Sequence, residues 1–169
     1  MLPDQPWLVK CQHCHAFVWI DEQEQVGEID PWEPRDQDAA EFSDALPYAT
    51  PTMQDYFGSL DKGVSDKKKE HYIRLRTWWA GNDEHRLGIN ATPMSRKETE
   101  NLRAFALLLD ETLEHDRLMK AEVMRELGLF GEAKILLFKP FNKELSQAVA
   151  IIRDLTEQGV TSVREMMFT

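Results

Sequence analysis

Residues 95–98, Ser-Arg-Lys-Glu, mark the start of a helix more sharply than any other stretch of this chain. Ser95 and Glu98 have the spacing of a capping box, in which each side chain accepts a hydrogen bond from the backbone N–H of the other residue. Apolar residues then recur at helical spacing at Leu102, Phe105, Ala106, Leu109 and Leu113. The pattern predicts an amphipathic helix that buries this stripe against other helices.

Two helices are predicted before this one. Thr50 and Pro51 suit an N-cap followed by proline at the first helical position. Ser65 suits the N-cap of a second helix, which we expect to stop at residues 80–83, Ala-Gly-Asn-Asp.

Adjacent tryptophans lie on the second of these predicted helices. Trp78 and Trp79 are separated by about 100° around the helix axis, so they cannot both point into the centre of one narrow stripe. One of them can therefore line a groove or an interface, and the alternative is that both are wedged between packed helices.

Three more helices are predicted after the capping box, at about 116–127, 131–138 and 142–157. Asp116 suits the N-cap of the first of these. Short connections favour antiparallel neighbours, so we expect helical hairpins. The same buried stripes fit a right-handed solenoid or a closed bundle.

The N-terminal residues 7–20 predict a β-hairpin. The segments Trp-Leu-Val-Lys-Cys and Ala-Phe-Val-Trp-Ile are rich in β-branched and aromatic residues, and Gln-His-Cys-His between them can form the turn. Pro31, Pro34 and Pro47 break any regular element between residues 21 and 49.

The predicted fold class is therefore mainly α, with antiparallel helical hairpins and a small N-terminal β-hairpin. We predict three parts: a CxxC hairpin at 1–20, an acidic, proline-containing linker at 21–47 and a helical domain at 48–169.

The negative charge is concentrated near the N-terminus. Residues 21–45 hold ten acidic residues and one basic residue, Arg35, in a chain whose formal net charge is −10. This stretch is typical of a solvated linker, or of a docking strip for a basic partner. Residues 67–76 carry five basic residues on one predicted helix and offer such a partner within the chain. The overall acidity argues against nucleic acid, because phosphate binding depends on Lys and Arg.

The chain carries no recognisable targeting or membrane signal. No stretch approaches the roughly 18 apolar residues that a membrane span needs, and the N-terminus has no basic region followed by an apolar run. We therefore expect a cytoplasmic protein that does not bind membranes. Cytosolic thiols are kept reduced, so a structural disulfide between Cys11 and Cys14 is not expected.

The chain has two cysteines: Cys11 ends the first predicted strand, and Cys14 lies in the predicted turn. Their spacing lets both sulfurs face one point, so they can supply two of the four tetrahedral ligands of a structural zinc ion. We predict His15 and His85 as the other ligands, with His71 as a further long-range candidate.

Three other interpretations of this turn stay open. The thiols can be unligated, or they can form a redox site, which usually requires a helix N-terminus after the second cysteine where this chain predicts a strand. The sequence Cys-Gln-His-Cys-His also matches the attachment signature of c-type haem, with His15 as an axial ligand. That chemistry belongs outside the cytoplasm.

Other catalytic patterns are weak. Asp83, Glu84 and His85 fall in one predicted turn that can hold a metal or perform acid/base work, although such clusters are more often a solvated helix end. The sequence contains neither a phosphate-binding Gly-rich loop nor the serine-nucleophile motif G-x-S-x-G. We predict no catalytic residue.

Two segments resemble known families. Residues 117–137 resemble one tetratricopeptide unit, with contact positions, a closing glycine, a turn aromatic and second-helix positions at Ala121, Met124, Gly128, Phe130, Ala133 and Leu137. Cys11 and Cys14 resemble the first knuckle of a zinc ribbon, with His15 at the position where that family usually has glycine. The combined layout resembles small uncharacterised bacterial proteins and implies no activity.

These observations predict a non-enzymatic protein–protein interaction module with a repeat-like helical body, an unidentified protein partner and a structural zinc in the CxxC hairpin. The alternative is a small zinc-dependent or thiol-based enzyme that uses the CxxC site.

Overall fold

The computed structural model describes residues 6–27, 47–86 and 93–164, which form short strands near the N-terminus followed by helices. The predicted mainly α class is therefore confirmed. The chain divides into two compact units, Met1–Thr52 and Met53–Thr169. Most of the predicted acidic linker, including Pro31 and Pro34, lies outside the described residues.

The first unit contains a three-stranded antiparallel sheet in the order β2-β1-β3. Its strands are β1 (Leu8–Cys11), β2 (Phe17–Trp19) and β3 (Tyr48–Ala49). Val9 pairs with Val18 in the hairpin, which confirms the predicted β-hairpin. The expectation of no regular element between residues 21 and 49 is wrong at β3. This strand is two residues long and pairs with a distant part of the chain, so no local pattern announces it.

In the part of the chain that the structure describes, the second unit contains six α-helices: α1 (Met53–Asp61), α2 (Lys67–Arg86), α3 (Arg96–Leu108), α4 (Glu114–Glu126), α5 (Phe130–Phe138) and α6 (Ser146–Glu157). Helices that follow one another in the chain pack together, and α4 also packs against α6. None of these described helices is both long enough and apolar enough to cross a membrane.

The capping box at the start of α3 is confirmed. The Ser95 hydroxyl accepts a hydrogen bond from the Glu98 N–H at 3.3 Å, and Glu98 Oε2 accepts one from the Ser95 N–H at 2.8 Å. The predicted stripe extends too far, however. The helix ends at Leu108, and Leu113 is an exposed residue just before α4.

The boundaries of α2 differ from the prediction at both ends. Asp66, not Ser65, caps the helix: Asp66 Oδ1 accepts hydrogen bonds from the N–H groups of Lys68 and Lys69 at 2.8 and 2.9 Å. The helix also continues through the predicted stop at 80–83. Packing against α3 stabilises this part of α2 and outweighs the weak helix propensity of Gly and Asn.

Three other predicted helix starts are displaced, and the largest displacement is that of the last helix, from about 142 to Ser146. The first helix begins at Met53, two positions after Pro51. The fourth helix begins at Glu114, so Asp116 lies in its first turn and is not its N-cap. The Asp116 carboxylate instead accepts a hydrogen bond from the Asp110 N–H at 3.0 Å and orders the preceding loop.

The core of the second unit forms where α2 to α6 meet. Trp78 is 8% exposed and packs its ring 5.9 Å from that of Phe105, whereas Trp79 is 45% exposed. The adjacent tryptophans therefore point in different directions. The buried apolar side chains of this core include Leu102, Phe105, Leu118, Ala121, Val123, Ala133, Leu137, Val149 and Ile152.

The segment that resembles a tetratricopeptide unit forms the helix pair α4–α5. Ala121 and Ala133 are fully buried in helices that pack on each other. Gly128 has φ +74°, a left-handed conformation that ends α4 at low cost only for glycine. Helix pairs of this kind occur in bundles as well as in repeats, so the family resemblance stays a prediction.

Candidate functional site

The Cys11–Cys14 turn closes the β1–β2 hairpin. The Cys11 N–H donates to the Ala16 carbonyl at 2.9 Å, and the His15 N–H donates to the Cys11 carbonyl at 3.0 Å. Both thiols are free; Cys11 is half-buried and Cys14 is exposed. Cys11 is the last residue of β1 and Cys14 lies in the turn that follows, so the strand pairing holds both cysteines at the same end of the hairpin.

Hydrogen bonds within this turn act on the Cys11 sulfur. The pKa of the Cys11 thiol is lowered because the sulfur accepts hydrogen bonds from the backbone N–H groups of Cys14 and His13 and from the Cys14 thiol. Donors aimed at a sulfur stabilise the thiolate over the thiol. The thiolate is the form that binds metals and attacks electrophiles, so this turn favours both kinds of chemistry at Cys11.

His15 holds an unusual backbone conformation. Its φ of +59° is in the left-handed region, and no other non-glycine residue in the described ranges has a positive φ. An L-residue with a side chain pays a steric cost there that glycine does not. His15 thus adopts a conformation that is ordinarily associated with glycine.

The four predicted zinc ligands are divided between the two units. Cys11, Cys14 and His15 lie in the turn of the first unit, whereas His85 lies in α2 of the second. Within residues 6–27, 47–86 and 93–164, no three His, Cys, Asp or Glu side chains are grouped so that they can hold a metal ion. The zinc site therefore stays a prediction.

His85 contacts a carboxylate of the neighbouring helix. Its Nε2 lies 3.3 Å from Glu98 Oε1, and both side chains are largely buried. The other oxygen of Glu98 accepts the Ser95 N–H of the capping box. Glu98 therefore links the start of α3 to the C-terminal part of α2.

Other residues of the predicted acid/base cluster have ordinary surroundings. Asp83 forms an ion pair with Arg86, and both are exposed. The side chain of Glu84 is not among those described. His71, the further metal candidate, packs its ring 5.1 Å from that of Phe105.

A buried carboxylate, Glu126, escaped the sequence analysis. Its Oε2 accepts a hydrogen bond from Trp78 Nε1 at 2.7 Å, and its Oε1 lies 3.4 Å from Asn82 Nδ2. Burial raises the pKa of Glu126 to about 7, and the nearby negative charge of Glu122 adds to the shift. Trp78 lies 48 positions before Glu126 in the chain, so no local pattern indicates this contact.

The polar side chains between α2 and α3 enclose little space. A cavity lined in part by Asn82, His85, Glu98 and Asn101 has a volume of about 10 Å³. This is room for about one water molecule. The arrangement suits a polar contact between helices better than a pocket for a substrate.

A wider groove of about 300 Å³ opens between α1, α2 and α3, but its charges are paired. Lys97 Nζ lies 3.0 Å from Asp61 Oδ2, and Arg74 forms an ion pair with Glu70 at 2.8 Å. Neighbouring carboxylates therefore already neutralise the cations that would attract an anion.

The outward face of α5 is apolar. Ile135 and Phe138 are 71% and 90% exposed, and together with Lys134 they line an open hollow of about 300 Å³. The opposite face of α5 buries Ala133, Leu136 and Leu137. The sequence Phe-Gly-Glu-Ala-Lys-Ile-Leu-Leu-Phe is apolar on both sides of the helix. That all-round pattern is the signal by which this face can be detected.

Comparisons with protein-family models, with curated proteins and with solved structures found no match to this chain.

Proposed function

We propose that this chain is a non-enzymatic protein-interaction module. The helical unit presents the outward face of α5 to another protein, and the Cys11–Cys14 turn binds a structural zinc ion. The observation that carries the proposal is the exposure of Ile135 and Phe138 side by side on one helix. Large apolar side chains exposed together and bordered by polar residues are typical of interaction surfaces.

Two sulfurs in one hairpin and the hydrogen bonds to one of them support the zinc part of the proposal. Cys11 and Cys14 offer two sulfurs, and the N–H donors on the Cys11 sulfur favour the thiolate that zinc requires. His15, directly after them, is the third proposed ligand; its imidazole would have to turn toward the two sulfurs, because the three side chains are not grouped as a metal site here. A structural site also requires a fourth protein ligand. His85 contacts Glu98, so the proposal does not include it. Metal binding would stabilise a sheet of three short strands, which has little core of its own.

A thiol-based or zinc-dependent enzyme is the alternative, because the lowered pKa of Cys11 also favours nucleophilic chemistry. Enzyme chemistry at Cys11 would leave the exposed Ile135 and Phe138 of α5 without a role, whereas the interaction module accounts for them. The interaction module is therefore preferred.

The zinc part is tested by measuring the metal content of untagged protein purified without a chelator, by elemental analysis and native mass spectrometry. About one zinc per chain is expected, lost in Cys11→Ser and weakened in His15→Ala. His115→Ala, which changes an exposed histidine of α4, is the matched control and should keep its zinc. A metal-free protein with two freely titratable thiols would remove zinc from the proposal.

Replacing the zinc ion with cobalt distinguishes the proposed interaction module from a zinc-dependent enzyme. A structural site whose fourth ligand also comes from the protein should give an optical spectrum that does not change when azide or another small anion is added. An enzyme site with an open coordination position should bind the anion and change its spectrum.

The interaction part is tested with a photo-crosslinking residue at position 135 in living cells. Position 107 on α3 is the matched control, because Leu107 is also an exposed apolar residue, at 84%. Protein adducts should form at 135 but not at 107, and Phe138→Ser should suppress them. Equal labelling at both positions, or no adduct at either, would contradict the interaction function.

A further inference from the structure

We propose that Cys11 and Cys14 form a reversible disulfide, and that its formation releases the zinc ion from the Cys11–Cys14 turn. This redox switch rests on the zinc part of the function proposed above and adds its regulation. The oxidant is a low-molecular-weight disulfide. The chain itself is oxidised and reduced in the process, so the reaction is a change of state of the protein and not catalysis.

The backbone of the turn brings the two cysteines within reach of each other. The His15 N–H donates to the Cys11 carbonyl at 3.0 Å, which is a bond from residue i+4 to residue i. Such a bond closes one helical turn, in which Cα atoms three positions apart are separated by about 5 Å. Disulfides usually join Cα atoms separated by roughly 4.4–6.8 Å. The two cysteines therefore need no separation of β1 from β2 in order to bond.

The two sulfurs also contact each other. The Cys14 thiol donates a hydrogen bond to the Cys11 sulfur, and the backbone N–H groups of His13 and Cys14 donate to the same sulfur. A disulfide would thus replace a contact between sulfurs that is already present. The backbone donors hold the Cys11 sulfur on the side of the turn where Cys14 lies.

A dissolved oxidant has access to this turn. Both thiols are free, Cys14 is exposed and Cys11 is half-buried. Gln12, His13 and His15 around them are exposed as well. Exposed disulfides are typically the labile, regulatory ones, and disulfides in reducing compartments are usually transient or redox-sensing. The location of the pair therefore fits a reversible bond better than a permanent one.

The reaction proceeds by two thiol–disulfide exchanges. The thiolate of one cysteine attacks a sulfur of the small disulfide, whose S–S bond breaks and releases one small thiolate. The thiolate of the other cysteine then attacks its neighbour in this mixed disulfide and releases the second small thiolate. The two leaving thiolates take up the two protons that the cysteines gave up. The protein loses two electrons, and the small disulfide gains them.

The disulfide and the zinc ion compete for the same atoms. Zinc binds cysteine in the thiolate form, and a disulfide contains no thiolate. Oxidation therefore removes two proposed ligands at once, and His15 alone would be left. By the same linkage, free zinc at about 100 times its dissociation constant should lower the ratio of oxidised to reduced chain by about 100-fold.

Intact-mass spectrometry of the full chain tests the disulfide itself. The chain is equilibrated with glutathione and glutathione disulfide in a buffer that contains a chelator, and the thiols are then blocked. An internal disulfide consumes one glutathione disulfide and produces two glutathione molecules. Diluting both forms tenfold at a constant ratio should therefore raise the ratio of oxidised to reduced chain by about tenfold. A mixed disulfide with glutathione would show no such dependence.

Three variants identify the bond. Cys11→Ser and Cys14→Ser should each form only the mixed disulfide, at a level that dilution leaves unchanged. His13→Ala is the matched control, because it changes an exposed side chain of the same turn and keeps both thiols. It should form the internal disulfide as the natural chain does.

A second measurement tests the release of zinc. The zinc-loaded chain is treated with glutathione disulfide in the presence of a colorimetric zinc indicator, and the mass of the chain is followed in parallel. About one zinc should be released for each disulfide formed, and reduction with dithiothreitol should restore binding.

The outcomes separate this switch from the function on which it rests. A chain that binds zinc but forms no internal disulfide in excess glutathione disulfide would overturn the switch and leave the proposed function standing. A chain that forms the disulfide and keeps its zinc would also overturn it. A chain that forms the disulfide but binds zinc in neither state would overturn the release together with the zinc part of the proposed function, and the crosslink from position 135 would still decide the interaction part.

Discussion

The indole N–H of Trp78 donates to Glu126 Oε2 at 2.7 Å and joins α2 to α4 inside the helical unit. Glu126 is 6% exposed, and Glu122 and Arg125 of its own helix lie beside it, with Asn82 facing it from α2. Ionising a carboxylate at this buried position costs free energy. Part of that cost lowers the stability of the folded state near neutral pH.

We predict that the helical unit loses stability as the pH rises toward 7, because of Glu126. Its pKa is raised from 4.5 to about 7 in the folded chain, so the folded state holds this proton more tightly than the unfolded state. The stabilisation is complete below about pH 4.5 and is lost as the pH rises through about 7. Its upper limit is about 3 kcal/mol.

Urea unfolding followed by helical circular dichroism at pH 5 and pH 8 measures the effect. Glu126→Gln should flatten the difference between the two pH values, because the amide keeps an acceptor for Trp78 and carries no charge. Glu157→Gln, at an exposed position, is the control and should behave like the natural chain. If Glu126→Gln showed the same pH dependence as the natural chain, the carboxyl would not be its source.

Gly81 allows α2 to lie close to its neighbours. A Cβ at this position would lie 3.0 Å from Glu98 Oε1 and 3.2 Å from Met53 Sδ. The Glu98 carboxylate is held by the Ser95 N–H and by His85, so it cannot move away without losing contacts. We expect Gly81→Ala to destabilise the helical unit by about 1–2 kcal/mol despite the higher helix propensity of alanine.

Gly58→Ala is the matched comparison, since Gly58 lies in α1 and a Cβ there would meet nothing within 4 Å. This change should raise the free energy of unfolding by up to about 1 kcal/mol. Chemical denaturation of both variants shows whether each change raises or lowers the free energy of unfolding. If Gly81→Ala stabilised the helical unit, the short distances from position 81 to Glu98 and Met53 would not limit the side chain at that position.

Features encoded by neighbouring residues were predictable, and features that depend on distant contacts were not. The capping box at Ser95 and the hairpin around Cys11 follow from spacings of a few residues, and both are present. The strand Tyr48–Ala49 and the buried carboxylate of Glu126 depend on partners far away in the chain. In the candidate site, residue spacing placed both cysteines at one end of the hairpin but did not indicate the left-handed backbone of His15. The exposed face of α5 was missed although the helix is apolar on both sides in the sequence.

Arg125 should be among the side chains most costly to remove. It is fully buried, pairs with Glu122 through two nitrogens at 2.8 and 2.6 Å and donates to the carbonyls of Val160 and Ser162 at 2.6 and 3.1 Å. Arg125→Leu leaves a carboxylate and two carbonyl groups without this partner, so we expect a loss of about 3–5 kcal/mol.

Hydrogen exchange distinguishes a local from a general effect of this change. The segment after α6 should lose protection first, because Arg125 connects it to α4. Arg125→Lys keeps the positive charge but lacks the planar fork, so it should recover only part of the stability. Full recovery by lysine would mean that charge alone accounts for the contribution.

The left-handed backbone of His15 gives a prediction that separates its conformation from its proposed role as a ligand. His15→Gly removes the steric cost at φ +59°, so without metal the turn should become more stable by about 1 kcal/mol. The amide of Cys11, which donates to the Ala16 carbonyl, should then exchange about fivefold more slowly. His15→Val should have the opposite effect, because a β-branched side chain fits this conformation poorly. Zinc affinity should fall in both variants if His15 is a ligand. A glycine variant that stabilises the turn and binds zinc as tightly as the natural chain would leave His15 with a backbone role alone.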